Sequence, residues 1–575
     1  MPYILGIDTG GTNTDCAVID SETRELIGSS KAFTTPEHLE IGISNALDGL
    51  PGYLLAETAL VCLSTTLATN AIVEGKGCAT GILLIGREPD QMLPSEHCCL
   101  LRGKLDIRGR ERTTMSEPEI VAAVNDMKTK VEAIAISGFA SVRNPVQEQK
   151  VKSIVERESS LPVFCAHELT SSLGFWERTV TAALNASLVK IIHDFIAETR
   201  NSLTAKGISA PIMIVRSDGT LMTENVARER PIDTILSGPA ASILGARHLT
   251  HMDDAIILDM GGTTTDIADL NNGKVKLNPN GAKVGGWLTR CKAVDVSTHG
   301  IGGDSRIFIA PDGEIQVGPE RVIPICLSHD LNGDIYLTPT DLLHITGAFS
   351  LWDREASLKA LDRFAGILDI STGEALPLLF TAVKKRICLA CIQATADFEG
   401  NDFDLNNDPA SLYLLEKAFS NDKREFLHSS FYMQKPIIAV GAPVSAWMPE
   451  IAGILHGDLI IPEHAEVANA IGAAVANFSE TASALIRPDE NASGYILFLP
   501  NNRHQFREYE DALIFARSKL SSLLTHKMDA YGITVTSDDI DFEEQEVYNT
   551  IFSAGNKKIY VETTITASTV KPPQI

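Results

Sequence analysis

Residues 8–15, Asp-Thr-Gly-Gly-Thr-Asn-Thr-Asp, and residues 259–266, Asp-Met-Gly-Gly-Thr-Thr-Thr-Asp, obey one pattern, D-x-G-G-T-x-T-D. Both aspartates, both glycines and two threonines coincide. Each copy follows an apolar run, Tyr3-Ile-Leu-Gly-Ile or Ala255-Ile-Ile-Leu, and precedes another, Cys16-Ala-Val-Ile or Ile267-Ala-Asp-Leu. Strand, tight turn, strand is therefore predicted twice. One Asp-Gly turn closes many hairpins and says little by itself. Two full copies in equivalent contexts call for a duplicated unit.

The residue types suit phosphate. Paired glycines let the main chain approach closely and aim consecutive N–H groups inward as an anion nest. Threonine hydroxyls add donors that rotate to meet phosphate oxygens. The candidate phosphate-binding residues are Gly10, Gly11, Thr12, Asn13 and Thr14 in the first loop, and Gly261, Gly262, Thr263, Thr264 and Thr265 in the second. Asp8 and Asp259, at strand ends, would repel phosphate directly. They either hold a hydrated Mg²⁺ that bridges phosphate oxygens or position a nucleophile. Asp15 and Asp266 serve the same end or cap their turns.

Elsewhere the chain alternates strands and helices. Strands are predicted at Leu60–Ser64, Thr80–Ile85, Ala133–Ser137, Val163–Cys165, Ile212–Val215 and Ile437–Val440. Helices are predicted at Pro36–Leu50, Glu117–Lys130, Pro145–Glu158, Gly174–Leu203 and Val467–Ala476, with a helical region over 340–431. This is an α/β pattern. A polar tail from about 490 carries a helix at Glu508–His526 and a strand at Lys558–Thr564. We divide the chain into an N-terminal lobe (1–175), a second lobe (176–485) and a small C-terminal α+β domain (486–575).

Composition narrows the class. A chain of 575 residues carries several domains. Its net charge of −25 argues against a general binder of nucleic acid or anionic membrane, but not against a nucleotide in one local nest. The ten cysteines are scattered through apolar stretches, which reads as reduced, buried thiols in a cytoplasmic protein. Cys388-Leu-Ala-Cys391 has no second pair to complete a zinc site and reads as core. No run reaches roughly 18 uninterrupted apolar residues. No G-x-S-x-G elbow, H-E-x-x-H or Walker A loop is present.

The duplicated hairpins resemble the two phosphate loops of the acetate/sugar kinase, Hsp70 and actin superfamily. That resemblance implies two ribonuclease-H-like lobes with ATP clamped between them. Ile437-Ile-Ala-Val-Gly441-Ala442-Pro443 is similar to the strand and glycine loop against the adenosine, which implies contacts from Gly441 and Ala442. Ser237-Gly-Pro-Ala-Ala and Glu466-Val-Ala-Asn-Ala-Ile-Gly472-Ala-Ala resemble the two small-residue helices that cross beneath the cleft.

Longer strings narrow the resemblance to the hydantoinase A/oxoprolinase family. They are Gly6-Ile-Asp-Thr-Gly-Gly-Thr-Asn-Thr-Asp, Ser64-Thr-Thr-Leu-Ala-Thr-Asn-Ala, the Trp176-Glu-Arg-Thr neighbourhood after Ala166-His-Glu, and Ala227-Arg-Glu-Arg-Pro-Ile-Asp-Thr-Ile-Leu-Ser-Gly-Pro running on to the second loop. The resemblance implies ATP and Mg²⁺ as cofactors and a cyclic amide, such as a hydantoin or a 5-oxoproline-like lactam, as substrate. Its amide oxygen is phosphorylated before water opens the ring, often with a B-type subunit. The chain departs from the family pattern after Val317-Gly-Pro319, where the usual Gly-Pro-rich stretch with Cys-Tyr-Gly is absent. It departs again at Gly441-Ala-Pro-Val-Ser-Ala-Trp. A kinase that stops at the phosphorylated product, and an ATP-driven activator of a partner enzyme, remain open, because fold does not fix reaction. Self-association is left open too.

Other candidates complete the set. His299-Gly-Ile-Gly302-Gly303-Asp304 is a third glycine turn with an acid, which either approaches the γ-phosphate or substrate or simply turns the chain. We assign Asp8, Asp259 and Asp304 to catalysis, Asp8, Asp259 and Asp266 to metal, and Gly302 and Gly303 to cofactor binding. Thr65, Thr66, Thr69 and Asn70 read as a cleft wall or as a polar helix start. His167, Glu168, Glu177 and Arg178 contact substrate or form structural pairs. Arg108 and Arg110 meet an anionic substrate or sit in an exposed loop, and 538–546 reads as a solvated face.

Overall fold

The computed structural model of the chain describes residues 2–573 apart from 36, 312, 330–332, 402–403, 406, 421–425, 490–492, 501 and 552–556. Two mixed sheets form the lobes. The first runs, in order, Leu221–Thr223, Ile212–Val215, Thr58–Thr65, Tyr3–Thr9, Asn13–Asp20 and Leu26–Phe33. The second centres on Ala255–Met260, flanked by Thr265–Asn271 and Ile437–Val440. In both, the leading strand pairs antiparallel with the strand after the glycine turn and parallel with a later one. The repeat in sequence is thus a repeat in topology, and the lobes follow the two-lobe actin-like plan.

The first sheet reaches further along the chain than the sequence boundary at 175/176. Ile212–Val215 lies parallel beside Thr58–Thr65. The helix Phe175–Ala205 buries Leu188, Ile192, Phe195 and Leu203 in the core shared with Leu5, Ile7 and Leu63. That 31-residue helix has the length and apolar composition to cross a membrane, and 67% of its most apolar window is buried inside the protein. A separate parallel sheet, Val163–Cys165, Ala133–Gly138, Thr80–Ile85 and His97–Leu101, builds a smaller subdomain of the first lobe.

The two connecting helices, Ser237–Thr250 and Ala468–Val475, cross in backbone contact. A Cβ on Gly245 would stand 1.9 Å from the Ala468 carbonyl oxygen, and one on Gly472 would stand 1.7 Å from that of Ala241. A Cβ on Gly6, in the leading strand, would likewise stand 1.9 Å from the Ala470 carbonyl oxygen. Only residues without a side chain allow this approach.

The tail begins earlier than residue 486. Strand Phe478–Pro488 joins Tyr495–Phe498, Arg503–Phe506, Lys557–Lys571 and Asp541–Ile551 in a five-stranded antiparallel sheet, backed by helix Tyr509–Asp529. Its core, with Phe478, Ile486 and Leu520, is continuous with Ile4 and Ala470, so the domain is docked on the first lobe.

Candidate nucleotide cleft

The two loops are built alike. Gly10 N–H donates to Asn13 O at 2.9 Å, and Gly261 N–H to Thr264 O at 2.9 Å. Asp8 stands opposite Asp15 in its hairpin, and Asp259 opposite Asp266. Loop tips 10–13 and 261–264 stay partly exposed. The loops meet across the lobes, because a Cβ on Gly262 would be 2.9 Å from Thr12 Oγ1 and 2.8 Å from Asp304 Oδ2.

Four carboxylates therefore crowd beneath two loop tips. Burial pushes Asp8 up to about 6, opposed by the Ser64 hydroxyl, which donates to Oδ1 at 2.6 Å, and reinforced by the charge of Asp259. Burial, then the neighbouring charge of Asp266, pushes Asp259 up to about 7. Asp266 is raised to about 6 by burial although Thr298 donates to it at 2.6 Å. Asp15 is raised to about 6 by burial against the pull of Lys31, whose ammonium lies 2.8 Å away. The side chain of Asn469, at the start of a connecting helix, stands near both Asp8 and Asp259 and favours their ionised forms. Burial disfavours the ionised form of an acid, so the fold holds the charge of these groups at a cost.

The third glycine turn braces the second loop. Gly303 N–H donates to Gly261 O at 3.0 Å, Asp304 N–H to Gly262 O at 2.7 Å, and Gly302 N–H to Ser305 Oγ at 2.8 Å. Those donors are committed within the protein, so the N–H groups of Gly302 and Gly303 serve the second loop. Asp304, raised by burial and lowered by Arg321, leans on the first loop, with Thr12 Oγ1 3.4 Å from its Oδ2. Gly441 has φ +101°, and a Cβ there would be 2.2 Å from Met260 O and 3.0 Å from Asp259 Oδ1. Ala442 beside it is exposed.

The Thr65–Asn70 cluster opens the helix Leu67–Val73 beside the first loop. Thr65 Oγ1 and Thr66 N–H both donate to Thr9 O, Leu236 N–H donates to Thr69 Oγ1, and Asn70 Nδ2 lies 3.5 Å from where a Gly11 Cβ would stand. Other candidates are held elsewhere. His167 Nδ1 sits 2.5 Å from Glu148, itself fully buried and bonded to Gly138 N–H. Arg178 donates to the Gly138 and Phe139 carbonyls, and Glu177 pairs with Arg290 at 3.5 Å. Glu168 binds Lys152. Arg108 and Arg110 are exposed in a turn braced by Asp106. His299, opposite Thr265, is driven down to about 4 by burial and by the charge of Arg386, so it is neutral at pH 7. Cys388 and Cys391 are buried in the second-lobe core, and all ten cysteines are free thiols.

Sequence reasoning misses the parts played by Ser64, Lys31, Asn469 and Arg321. Ser64 and Lys31 owe their places to strand register, opposite Asp8 and Asp15. Asn469 lies within the small-residue helix string, where its amide is a legible exception. Arg321 carries no signal.

Comparison with known proteins agrees with this geometry. The hydantoinase/oxoprolinase N-terminal region profile matches residues 4–159, and the hydantoinase/oxoprolinase profile matches 178–348. The caprolactamase subunit alpha of Pseudomonas jessenii is 29% identical over 380 residues, 59% of this chain and 53% of that protein. The acetophenone carboxylase gamma subunit of Aromatoleum aromaticum is 24% identical over 444 residues, 67% of this chain and 60% of that one. The chain thus spans little more than half the length of these curated relatives. The nucleotide-free structure of acetone carboxylase superposes with a TM-score of 0.74 at 18% identity, covering all of this chain and 88% of that one. The ATP-dependent caprolactamase structure from Pseudomonas jessenii gives 0.68 at 21%, with the same coverage.

Proposed function

The chain belongs to the hydantoinase/oxoprolinase family, and on that premise we propose that it is an ATP-dependent enzyme that phosphorylates a cyclic amide at its carbonyl oxygen to prepare ring opening. The observation that carries this is the pair of like-built loops facing each other over Asp8, Asp15, Asp259 and Asp266.

The acids fit a divalent cation. Asp8 and Asp259 are all-oxygen ligands raised by burial and by a neighbouring carboxylate, Asp259 for Asp8 and Asp266 for Asp259, while Lys31 pairs directly with Asp15. Hard Mg²⁺ takes such a set with one or two carboxylates and keeps waters. Asp8 and Asp259, with Asp266 behind, would hold it, and when bound it neutralises charge on the phosphate oxygens. The loop tips cradle the β- and γ-phosphates, and Ser64 fixes Asp8 in orientation. Ala442 and the Gly441 turn border the adenosine side.

Chemically, the amide oxygen gives an electron pair to the γ-phosphorus while the bond to ADP breaks with its pair going to ADP. The activated carbon then accepts water and the C–N bond breaks with its pair going to the nitrogen, which takes a proton; a second water releases the phosphoryl group from the resulting acyl phosphate as inorganic phosphate, leaving the ring-opened acid. The residues of the cleft supply positioning and charge stabilisation for the first step. For the second we propose a B-type partner subunit, in keeping with the subunit names of the relatives. A reducing, cytoplasmic setting suits the ten free thiols.

The test is ATPase activity against a panel of lactams, hydantoins, imides and simple ketones, with ADP, phosphate and ring-opened acid followed together. Stimulation by a cyclic amide supports the reading. A stable phosphorylated product would make the protein a kinase, and stimulation by ketones alone would move the substrate to the carboxylase side of the family.

A further inference from the structure

A cation reaches from the second lobe to the first at the point where the two loops touch. Arg321 ends the strand Ile315–Arg321, opposite Ser305 in its hairpin, and Val322 N–H donates to Asp304 O at 3.0 Å. That anchoring aims the side chain across the cleft. Nη2 donates to Thr12 Oγ1 at 2.8 Å and lies 3.4 Å from Asp304 Oδ2. Nη1 would stand 3.7 Å from a Cβ on Gly11. One guanidinium thus touches the tip of the first loop and the acid that leans on the second, and its side chain is still 41% exposed.

The charge balance of the cleft gives this contact meaning. Five acids, Asp8, Asp15, Asp259, Asp266 and Asp304, surround the two loop tips, and Lys31 pairs directly with Asp15. A polyanionic phosphate entering between the tips needs positive charge on the side away from the strand-end acids. Arg321, against Thr12 and Gly11 at the tip of the first loop, brings that charge, and its planar fork suits phosphoryl oxygens.

We propose that Arg321 is a catalytic cation supplied across the lobes, which meets the equatorial oxygens of the γ-phosphoryl group as it transfers. The proposal rests on the nucleotide reading above. In the step, the bond from the γ-phosphorus to the β,γ-bridging oxygen breaks with its electron pair going to ADP. The acceptor oxygen supplies the pair for the new bond. The guanidinium keeps all its protons and exchanges its contacts with Thr12 and Asp304 for contacts with the phosphoryl oxygens. Because it bridges both lobes, the same residue ties charge stabilisation to lobe closure.

The experiment needs no knowledge of the amide. Calorimetry on the full chain measures ADP with Mg²⁺, with and without aluminium fluoride, for wild type, Arg321→Lys and Arg321→Met. Aluminium fluoride mimics the transferring group, and wild type should bind ADP at least about 100-fold more tightly with it, as transition-state mimics do. Arg321→Met should keep its affinity for ADP alone within about threefold but lose at least about tenfold of that tightening, the scale of a lost arginine finger or less. Arg321→Lys, with charge but no fork, should fall between. A purely structural role would lower both affinities together and leave their ratio unchanged. An unchanged ratio in Arg321→Met overturns the assignment and leaves the nucleotide site standing. Failure of wild type to bind ADP or ATP overturns both.

Discussion

Replacing Gly472 by alanine should separate the lobes. A Cβ at that position falls 1.7 Å from the Ala241 carbonyl oxygen and 2.6 Å from its carbon, both backbone atoms with no rotamer to yield. A relaxed carbon–oxygen contact is about 3.3 Å, so the helices must part by roughly 1.5 Å. Overpacking of this kind costs about 1–3 kcal/mol, against about 1 kcal/mol returned by alanine's helix propensity. The net expectation is a loss of about 0–2 kcal/mol, together with a shift of the floor carrying Asn469 and the leading strands. A displacement of about 1 Å can cost a reaction roughly a hundredfold in rate. Gly453→Ala is the matched control. It lies in helix Val444–Ile454 with nothing within 4 Å of its added carbon, and should stabilise by up to about 1 kcal/mol. Thermal melts and ATP calorimetry on the two variants separate the effects. If Gly472→Ala melts at or above wild type and binds ATP normally, the helices do not cross as described and the argument from close approach fails.

Asp8→Asn and Asp259→Asn should each lower turnover by about 2–4 kcal/mol of transition-state stabilisation, the range seen for lost electrostatic groups, while barely changing the melting temperature with Mg²⁺ bound; normal rates at saturating Mg²⁺ would make these acids structural. Asp8 and Asp259 are raised to about 6 and 7 in the fold from 3.8, so their protonated forms favour the folded state. With the metal chelated, that contribution is whole below about pH 4 and lost as pH rises through 6 to 7. Melting in EDTA should therefore fall between pH 5 and 8, Mg²⁺ should restore more at pH 8, and the double Asn variant should flatten both trends; greater protection by Mg²⁺ at pH 5 would contradict this. ATP cleavage by the chain alone should be slow, substrate-stimulated and poorly coupled to ring-opened acid, with coupling restored by a B-type subunit. Stoichiometric acid from this chain alone would place the hydrolytic step here.

Much of the fold was legible where side-chain pattern is local. Thr80–Ile85, Val163–Cys165 and Ile437–Val440 begin and end where the apolar runs do, because buried parallel strands are continuous in hydrophobicity. Sheet membership was less so. Ile212–Val215 pairs with a strand about 150 residues earlier, a partner that no local pattern names. Strands Arg503–Phe506 and Asp541–Ile551 lie at sheet edges and expose half or more of their described side chains, so they read as polar tail. The loops were legible because backbone chemistry demands glycine. Lys31 and Arg321 were not, since a salt bridge across strands or lobes depends on register and on lobe contact.

ATP binding to a variant carrying Gly11→Val and Gly262→Val tests the central claim most directly. The added side chains fill both nests, with the Gly262 Cβ only 2.8 Å from Asp304 Oδ2 and 2.9 Å from Thr12 Oγ1. Calorimetry on wild type should show ATP binding that strengthens with Mg²⁺, and on the double variant little or none, with both proteins folded by circular dichroism. Equal affinity in the two proteins, or in wild type with and without a divalent metal, would show that these loops and acids are not the nucleotide site.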